Sequence, residues 1–316
     1  MKTSPKLLSF VLLLVCAGLL SPGLHAAGKV KLGLHLQKGS SYNVRMVTDQ
    51  KITSKFGDKD MEMIQNIALG YTFAVQDVDG EGNASIQTTY ATVKAHLEGP
   101  MGTSDYDSAQ PSEVESPVGK VLAALAGQSF MMKLASSGKV LEVTGMSALM
   151  ERILGSIDLP EGQAREGLIN SLKKQYSDQA AREQMGQLFA VYPETPVSVG
   201  DSWAKSFSMT SSLPMNQQHT WTLKSLDSGK AVIQAHTVIS TNAQAPPLDF
   251  GSTKLGLQIS GEQDGTLSLD PLSGWVVGAV ITLKLSGEYK FEGGTDVPAG
   301  MTMPMTVEAT IRLEPF

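Results

Sequence analysis

Two long blocks of the chain alternate apolar and polar residues with a period of two, and the stretch between them does not. The first block runs from Lys29 to Glu98 and the second from Val197 to Phe316. In the first, Leu32, Leu34 and Leu36 share one side, followed by Tyr42, Val44 and Met46. Successive strand side chains point to opposite faces, so this pattern builds antiparallel sheet with one buried face and one wet face. The segment DVDGEGN, Asp77 to Asn83, separates two β-branched and aromatic runs and predicts a hairpin loop. The second block predicts hairpins around Asp227-Ser228-Gly229 and from Pro271 to Gly274, then a last strand over MTVEATIRLEP.

Between the blocks the period changes. Residues 99–117 are rich in Gly, Ser, Asp and Pro and predict a loop. Ser116-Pro117 has the form of an N-cap with Pro at the first helical position, and Val118, Val121, Leu122 and Leu125 follow at helical spacing up to Gly127. FMMKLASSGKVLEV predicts two short strands around Ser136-Ser137-Gly138. Over 144–193 the apolar stripes are helical: Met146, Met150, Ile153 and Ile157, then Leu168, Leu172, Tyr176 and Ala180, then Met185, Leu188, Phe189 and Tyr192. Pro193 and Pro196 end that run.

The two alternating blocks read as one unit written twice. KGSSYNVRM faces VGDSWAKSF, GYTFAVQDVDGEGNASIQTTYATV faces HTWTLKSLDSGKAVIQAHTVI, and SFMMKLASSGKVLEV faces GTLSLDPLSGWVVGAV. Tyr42 then matches Trp203, Ala84 matches Ala231 and Gly138 matches Gly274, in the same order. A short meander must bury its apolar face against something. The expected fold is therefore α+β and mostly antiparallel β, a curved sheet or half-barrel made of two similar meanders with a helical insert across its concave side. The expected divisions are 1–27, 28–143 with a short helix near 117–127, 144–193 helical and 194–316, the last three forming one compact domain.

Residues 1–27 have the three parts of a secretory signal peptide. Lys2 and Lys6 precede the apolar run Leu7–Leu20, then come the breakers Ser21, Pro22 and Gly23, with small residues at Ala26 and Ala27. The run is shorter than the roughly 20 apolar residues of a spanning helix, and a retained anchor is the alternative. Cleavage predicts a periplasmic or extracellular soluble protein. Cys16 is the sole cysteine and lies inside this run, so the rest of the chain has no thiol for disulfides or metal thiolates. That remainder holds 31 acidic and 23 basic residues. The balance argues against nucleic acid and against anionic lipid surfaces as partners.

No catalytic motif emerges. GDSWA lacks the last Gly of a nucleophile elbow and leads into a strand rather than a helix. His35, His96, His219 and His236 form no closely spaced metal-binding pair. Asp105 and Asp107 lie in a loop, where acids serve turns and solvation. No phosphate-cradling glycine motif is present, and no cofactor or metal is expected. Methionine stands out, with 15 residues including Met131 and the run Met301, Met303 and Met305 on one strand face. Thioethers are soft ligands suited to Cu(I), core filler, or adaptable lining for an apolar ligand; on the last reading these four are the candidate ligand-binding residues. Phe316 ends the chain out of phase with Leu313, Ile311, Ala309 and Val307, which argues against a lipid-facing barrel strand.

LHLQKGSSY, SDYDS, LASSGKVLEVTG and PVSVGDSW together resemble a family of bacterial exported proteins and lipoproteins of unknown function. The resemblance implies export and brings no catalytic residues. This chain departs from the lipoprotein members, because Val15 precedes Cys16 and apolar sequence continues past it. The architecture is also similar to periplasmic lipoprotein and lipid carriers, which use a curved sheet with helices inside. The expectation is a non-enzymatic exported protein that binds a hydrophobic small molecule or lipid on a concave sheet face. A protein-interaction or structural module of the envelope is the alternative, and an unrecognised hydrolase is the third reading.

Overall fold

The computed structural model describes residues 28–100, 102–111, 117–156, 169–170, 172–210, 214–227, 229–244, 247–249, 254–292 and 299–316. The segment 1–27, the cap residue Ser116, and Ile157 and Leu168 of the helical stripes lie outside them. Thirteen strands form one antiparallel sheet. In the first half these are β1 (Ser41–Phe56), β2 (Lys59–Val78), β3 (Ala84–Gly99), β4 (Gly102–Asp107), β5 (Ser129–Leu134) and β6 (Val140–Thr144). In the second they are β7 (Ser202–Met209), β8 (Met215–Asp227), β9 (Lys230–Thr241), β10 (Leu248–Asp249), β11 (Lys254–Leu269), β12 (Val276–Phe291) and β13 (Thr302–Glu314). Helices with both ends among the described residues are α1 (Pro117–Leu125), α2 (Met146–Ser156) and α3 (Asp178–Leu188), and residues 172–175 are helical as well.

The order across the sheet is β6-β5-β3-β2-β1-β13-β12-β11-β9-β8-β7, with β4 added to β3 and β10 to β11. Each neighbour along this path follows the other in the chain apart from those two side strands, with one exception. β1 pairs with β13, so the first and last strands meet in the middle of the sheet. β6 and β7 are therefore its two free edges, and the chain between them, which carries α2 and α3, joins one edge to the other.

The two halves repeat each other in register. Tyr42 stands opposite Phe73, and Trp203 opposite Trp221. Val75 faces Ile86 as Leu223 faces Ile233, and Ala84 faces Leu134 as Ala231 faces Leu269. The irregularities recur as well. The ladder slips at Val75/Asp77 and at Leu223/Ser225, and again at Lys133/Leu134 and Ser268/Leu269. A slip by one residue turns every side chain to the other face, so matching slips keep the same positions turned inward in both halves.

That inner face carries the core. Phe73, Ile86, Val93, Met132 and Leu134 from the first half and Trp221, Leu223, Ile233 and Leu269 from the second are all buried. The helices lay their stripes on it through Val121, Leu122, Leu125, Met146, Leu149, Met150, Ile153 and Leu172, all in the same cluster. Each large apolar side chain buried this way contributes roughly 1.5–3 kcal/mol. The starts of α2 and α3 are pinned to each other. The Asp178 carboxylate accepts from the Met146 and Ser147 amides at 2.7 and 3.0 Å, and the Asp178 amide donates to Ser147 Oγ at 3.0 Å. Ser177 caps α3 by accepting from the Ala180 amide.

Two sequence expectations need correction. The loop expected over 99–117 contains β4, which pairs with the far end of β3. β5 covers only Ala84–Thr89 of that edge, so β4 satisfies backbone groups beyond it. Leu32, Leu34 and Leu36 do turn to one side, with Leu32 and Leu34 buried, but their segment joins no ladder. Its backbone bonds go to both halves: the Leu34 amide donates to Ser136 O, the His35 amide to Ser273 O, and Val30 bridges Val197.

Candidate ligand-binding groove

The two hairpin turns matched in sequence meet around one tyrosine. Gly138 follows β5 and Gly274 follows β11, and both have positive φ, 80° and 74°. Each also touches backbone where a side chain would not fit. A Cβ at Gly138 would strike Phe189 O and the Tyr192 ring, and one at Gly274 would strike Gly33 O. Only glycine meets both demands. Tyr192, fully buried, lies against the first turn, and its hydroxyl donates to Gly274 O of the second at 2.7 Å. Beside it Trp275 stacks on Tyr42 with centroids 4.4 Å apart and meets Phe73 and Phe189 at 5.1 and 5.3 Å.

Next to this bolt the sheet fails to close, and a groove of about 470 Å³ runs along the gap. One bank is the β5–β6 turn and the start of β6, with Gly138, Lys139 and Val140. The other is β7, with Lys205 and Phe207. α3 contributes Arg182 and Gly186, and the chain after it contributes Ala190, Tyr192 and Pro193. The size falls in the range of small-molecule sites, roughly 300–1,000 Å³. Phe207 meets the His219 ring edge-on at 5.3 Å, and His219 stacks on Trp221 at 5.1 Å and 5°. Burial lowers the His219 pKa to about 4. Its Nδ1 shares a hydrogen bond with Thr237 Oγ1 at 2.9 Å, and the described residues give Nε2 no partner. The wall behind Phe207 is thus a neutral stack at ordinary pH.

Charged groups rim the groove. Lys139, Arg182 and Lys205 line it together with Glu183 and Glu194. Glu183 accepts from Gln179 Nε2 at 2.9 Å and from the Thr210 amide at 3.3 Å. Burial lowers the Lys205 pKa, and Glu194 offsets this in part. Two other hollows are less suited to a ligand. One of about 440 Å³ lies against β2, β3 and β4, but its polar groups already have partners: Lys94 pairs with Asp107 at 3.2 Å and His96 Nδ1 lies 2.7 Å from Asp105 Oδ1. The other, about 170 Å³, lies under the helices between Tyr71, Tyr90, Phe130 and Tyr176, below the usual ligand size.

The four methionines singled out in the sequence do not line the groove. Met131 points out of the core from β5 and is 37% exposed, while its neighbour Met132 is buried. Met301, Met303 and Met305 lie at β13, which β3, β2 and β1 separate from β5, four strand spacings or roughly 19 Å. Met305 packs against a second apolar cluster with Met209, Met215, Ile239, Leu257 and Ile259. Alternation placed these residues on faces but could not show which faces meet. The groove itself draws on residues 138–140, 182–194 and 205–207, and only a shared helical stripe through Phe189 and Tyr192 hinted at it.

The remaining candidates keep apart. Ser202 of GDSWA bonds Thr222 Oγ1 at 2.7 Å, and Asp201 accepts from the Ser198 amide at 2.8 Å. Asp105 and Asp107 are held on β4 by His96 and Lys94, while His219 belongs to β8 on the other side of the sheet. Sequence spacing missed one grouping: His236 on β9 and Glu262 and Asp264 on β11 bring a nitrogen and two carboxylate oxygens within 4.8 Å of one another. His236 Nδ1 lies 2.8 Å from Asp264 Oδ1. Those donors suit a divalent cation, but all three are on the solvent side, and a His–Asp pair explains their approach. Among the described residues no helix is long and apolar enough to cross a membrane.

The model of a family of unknown function, DUF6263, matches residues 81–276. No curated protein matches the chain. Among solved structures, lipovitellin, described in terms of its lipid–protein interactions, aligns with 89% of this chain at 8% identity and a TM-score of 0.46. This chain spans 25% of lipovitellin's length. An outer membrane channel from Pseudomonas putida F1 aligns with 88% of the chain and 97% of its own at 8% identity and a TM-score of 0.22. The Salmonella typhi porin OmpF, in complex with daunomycin, aligns with 89% and 99% at 7% identity and a TM-score of 0.23.

Proposed function

From the premise that this chain belongs to the family of unknown function DUF6263, we propose that it is a non-catalytic exported protein that binds an apolar or lipid-like molecule in the groove between its sheet edges. One observation carries this reading. Between the two end strands β6 and β7 lies a hollow of about 470 Å³ walled by Val140, Ala190, Tyr192, Pro193 and Phe207. The wall is pre-formed. Tyr192 packs against the Gly138 turn and hydrogen-bonds Gly274 O of the other, and Trp203 Nε1 donates to Val191 O at 2.7 Å, tying β7 to the same segment. A site held by buried aromatic packing needs little reordering when it fills, which favours affinity. The N-terminal segment, with its basic start, apolar run and small residues, supports export.

The non-catalytic part rests on the separation of nucleophile, base and acid candidates, since acid–base chemistry needs them within hydrogen-bond reach. The test is native purification followed by extraction and mass spectrometry, paired with titration by N-phenyl-1-naphthylamine, a neutral apolar probe that brightens out of water. The expected result is saturable binding by the native chain. Replacing Ala190 by Trp fills the groove and is expected to weaken the probe at least about tenfold, in line with the strong effect of occupied volume in packed sites. An unchanged titration in a folded Ala190→Trp protein overturns the assignment.

A further inference from the structure

We propose that the groove's ligand is an amphiphile with an anionic head, a carboxylate or phosphate monoester on an apolar tail, held by Lys205, Arg182 and Lys139. The inference rests on the groove reading above and adds the chemistry of the head.

The groove is apolar at its floor and basic at its rim. Tyr192, Pro193, Ala190 and Phe207 form the floor, while three cations come from three separate elements: Lys139 beside β6, Arg182 on α3 and Lys205 on β7. Among the described residues none of the three has a carboxylate at ion-pair distance, although ten such contacts are made elsewhere in the chain. The two acids of the lining do not cancel them. Glu183 is engaged by Gln179 and the Thr210 amide, and Glu194 influences Lys205 without reaching it. Lys205 is the telling residue. It stands on the inner face of β7, opposite His219, between Trp203 and Phe207. A charge on that face loses part of its hydration, and an anionic partner arriving with a tail would restore the interaction that water supplied. Lys205 on β7 and Arg182 on α3 both line the same groove, so a head group bound there is within reach of cations from two elements, and the guanidinium suits two oxygens of a carboxylate or phosphate. The tail then lies over Phe207 and Tyr192.

The rest of the chain favours an acidic balance, with 31 acidic and 25 basic residues overall. A groove whose rim holds three cations from three elements runs against that background. It also separates this site from the hollow near β4, where Lys94 already has its acid in Asp107.

The experiment displaces N-phenyl-1-naphthylamine from the full chain with palmitate, with the matched long-chain alcohol, with a long-chain alkyl phosphate and with orthophosphate. Palmitate and the alkyl phosphate are expected to displace the probe at concentrations at least about tenfold below the alcohol, as charge-assisted hydrogen bonds provide. Orthophosphate is expected to do nothing, because it has no tail. Lys205→Met keeps the apolar stem and is expected to bring acid and alcohol within about threefold of each other. Arg182→Gln, on the exposed side of α3, is expected to narrow the ratio in the same direction and serves if the β7 variant folds poorly. Equal displacement by palmitate and alcohol overturns the anionic head and leaves the apolar groove standing. Displacement by orthophosphate alone shows a bare anion site and also overturns it. Failure of the neutral probe to bind at all sinks the groove reading itself.

Discussion

At the residue scale, the most exacting position is Gly138. Gly39 has nearly the same φ, 84°, yet nothing approaches the place its Cβ would occupy. Gly39→Ala is expected to cost about 1 kcal/mol, the strain of the left-handed region alone. Gly138→Ala adds a collision with Phe189 O and Tyr192 and is expected to cost about 3 kcal/mol or more. Urea unfolding of the two variants checks the difference. His219 carries the second prediction. Its pKa falls from the ordinary 6.5 to about 4 because the ring is buried, so the unfolded chain takes up a proton that the folded chain refuses. Stability is full above pH 6.5 and declines as pH drops toward 4, by about 3 kcal/mol over that window. His219→Leu is expected to flatten that slope in unfolding curves taken at pH 7, 5.5 and 4.

At the scale of elements, the paired starts of α2 and α3 decide how the crossover sits on the sheet. Asp178→Ala removes the acceptor for two amides at the head of α2 and is expected to cost about 1–2 kcal/mol. Faster hydrogen exchange confined to Met146–Ser156 and Asp178–Leu188 would mark the loss. Much of the element pattern was readable in the residues alone. Tyr42 and Trp203, or Gly138 and Gly274, stood out because their roles repeat: an inward aromatic near a strand start, and a left-handed residue in a hairpin turn. β4 was not readable. Its residues, Thr103 to Tyr106, have no apolar alternation because an edge strand of this kind need not bury a face, and its role is to meet the backbone of β3. The methionines lie outside the groove, and their role was ambiguous for the converse reason. Thioethers suit both an open lining and a filled core, and only the folded register tells Met131 from Met132.

At the scale of the whole molecule, the sheet is a run of local hairpins closed by one distant pairing. Arg312 reaches Asp49 at 2.6 Å across 263 positions of sequence, and Phe316 lies under the Arg45 guanidinium at 5.4 Å. Removing residues 302–316 is expected to leave two half-sheets with exposed edges at β1 and β12, with lower solubility and early cleavage between them in limited proteolysis. The groove lies at the opposite margin, so its legibility in the sequence was poor: it belongs to the gap between elements rather than to any one of them.

That single distant pairing imposes a schedule on biogenesis. A chain leaving the ribosome amino end first can zip each hairpin as it emerges, yet β1 must wait beside an unfilled slot until the final strand is released. The interval is an opportunity for mispairing with another copy, because β1 then displays unsatisfied amides and carbonyls along its length. A holdase, or passage across a membrane before folding, would shield that edge until its proper neighbour arrives.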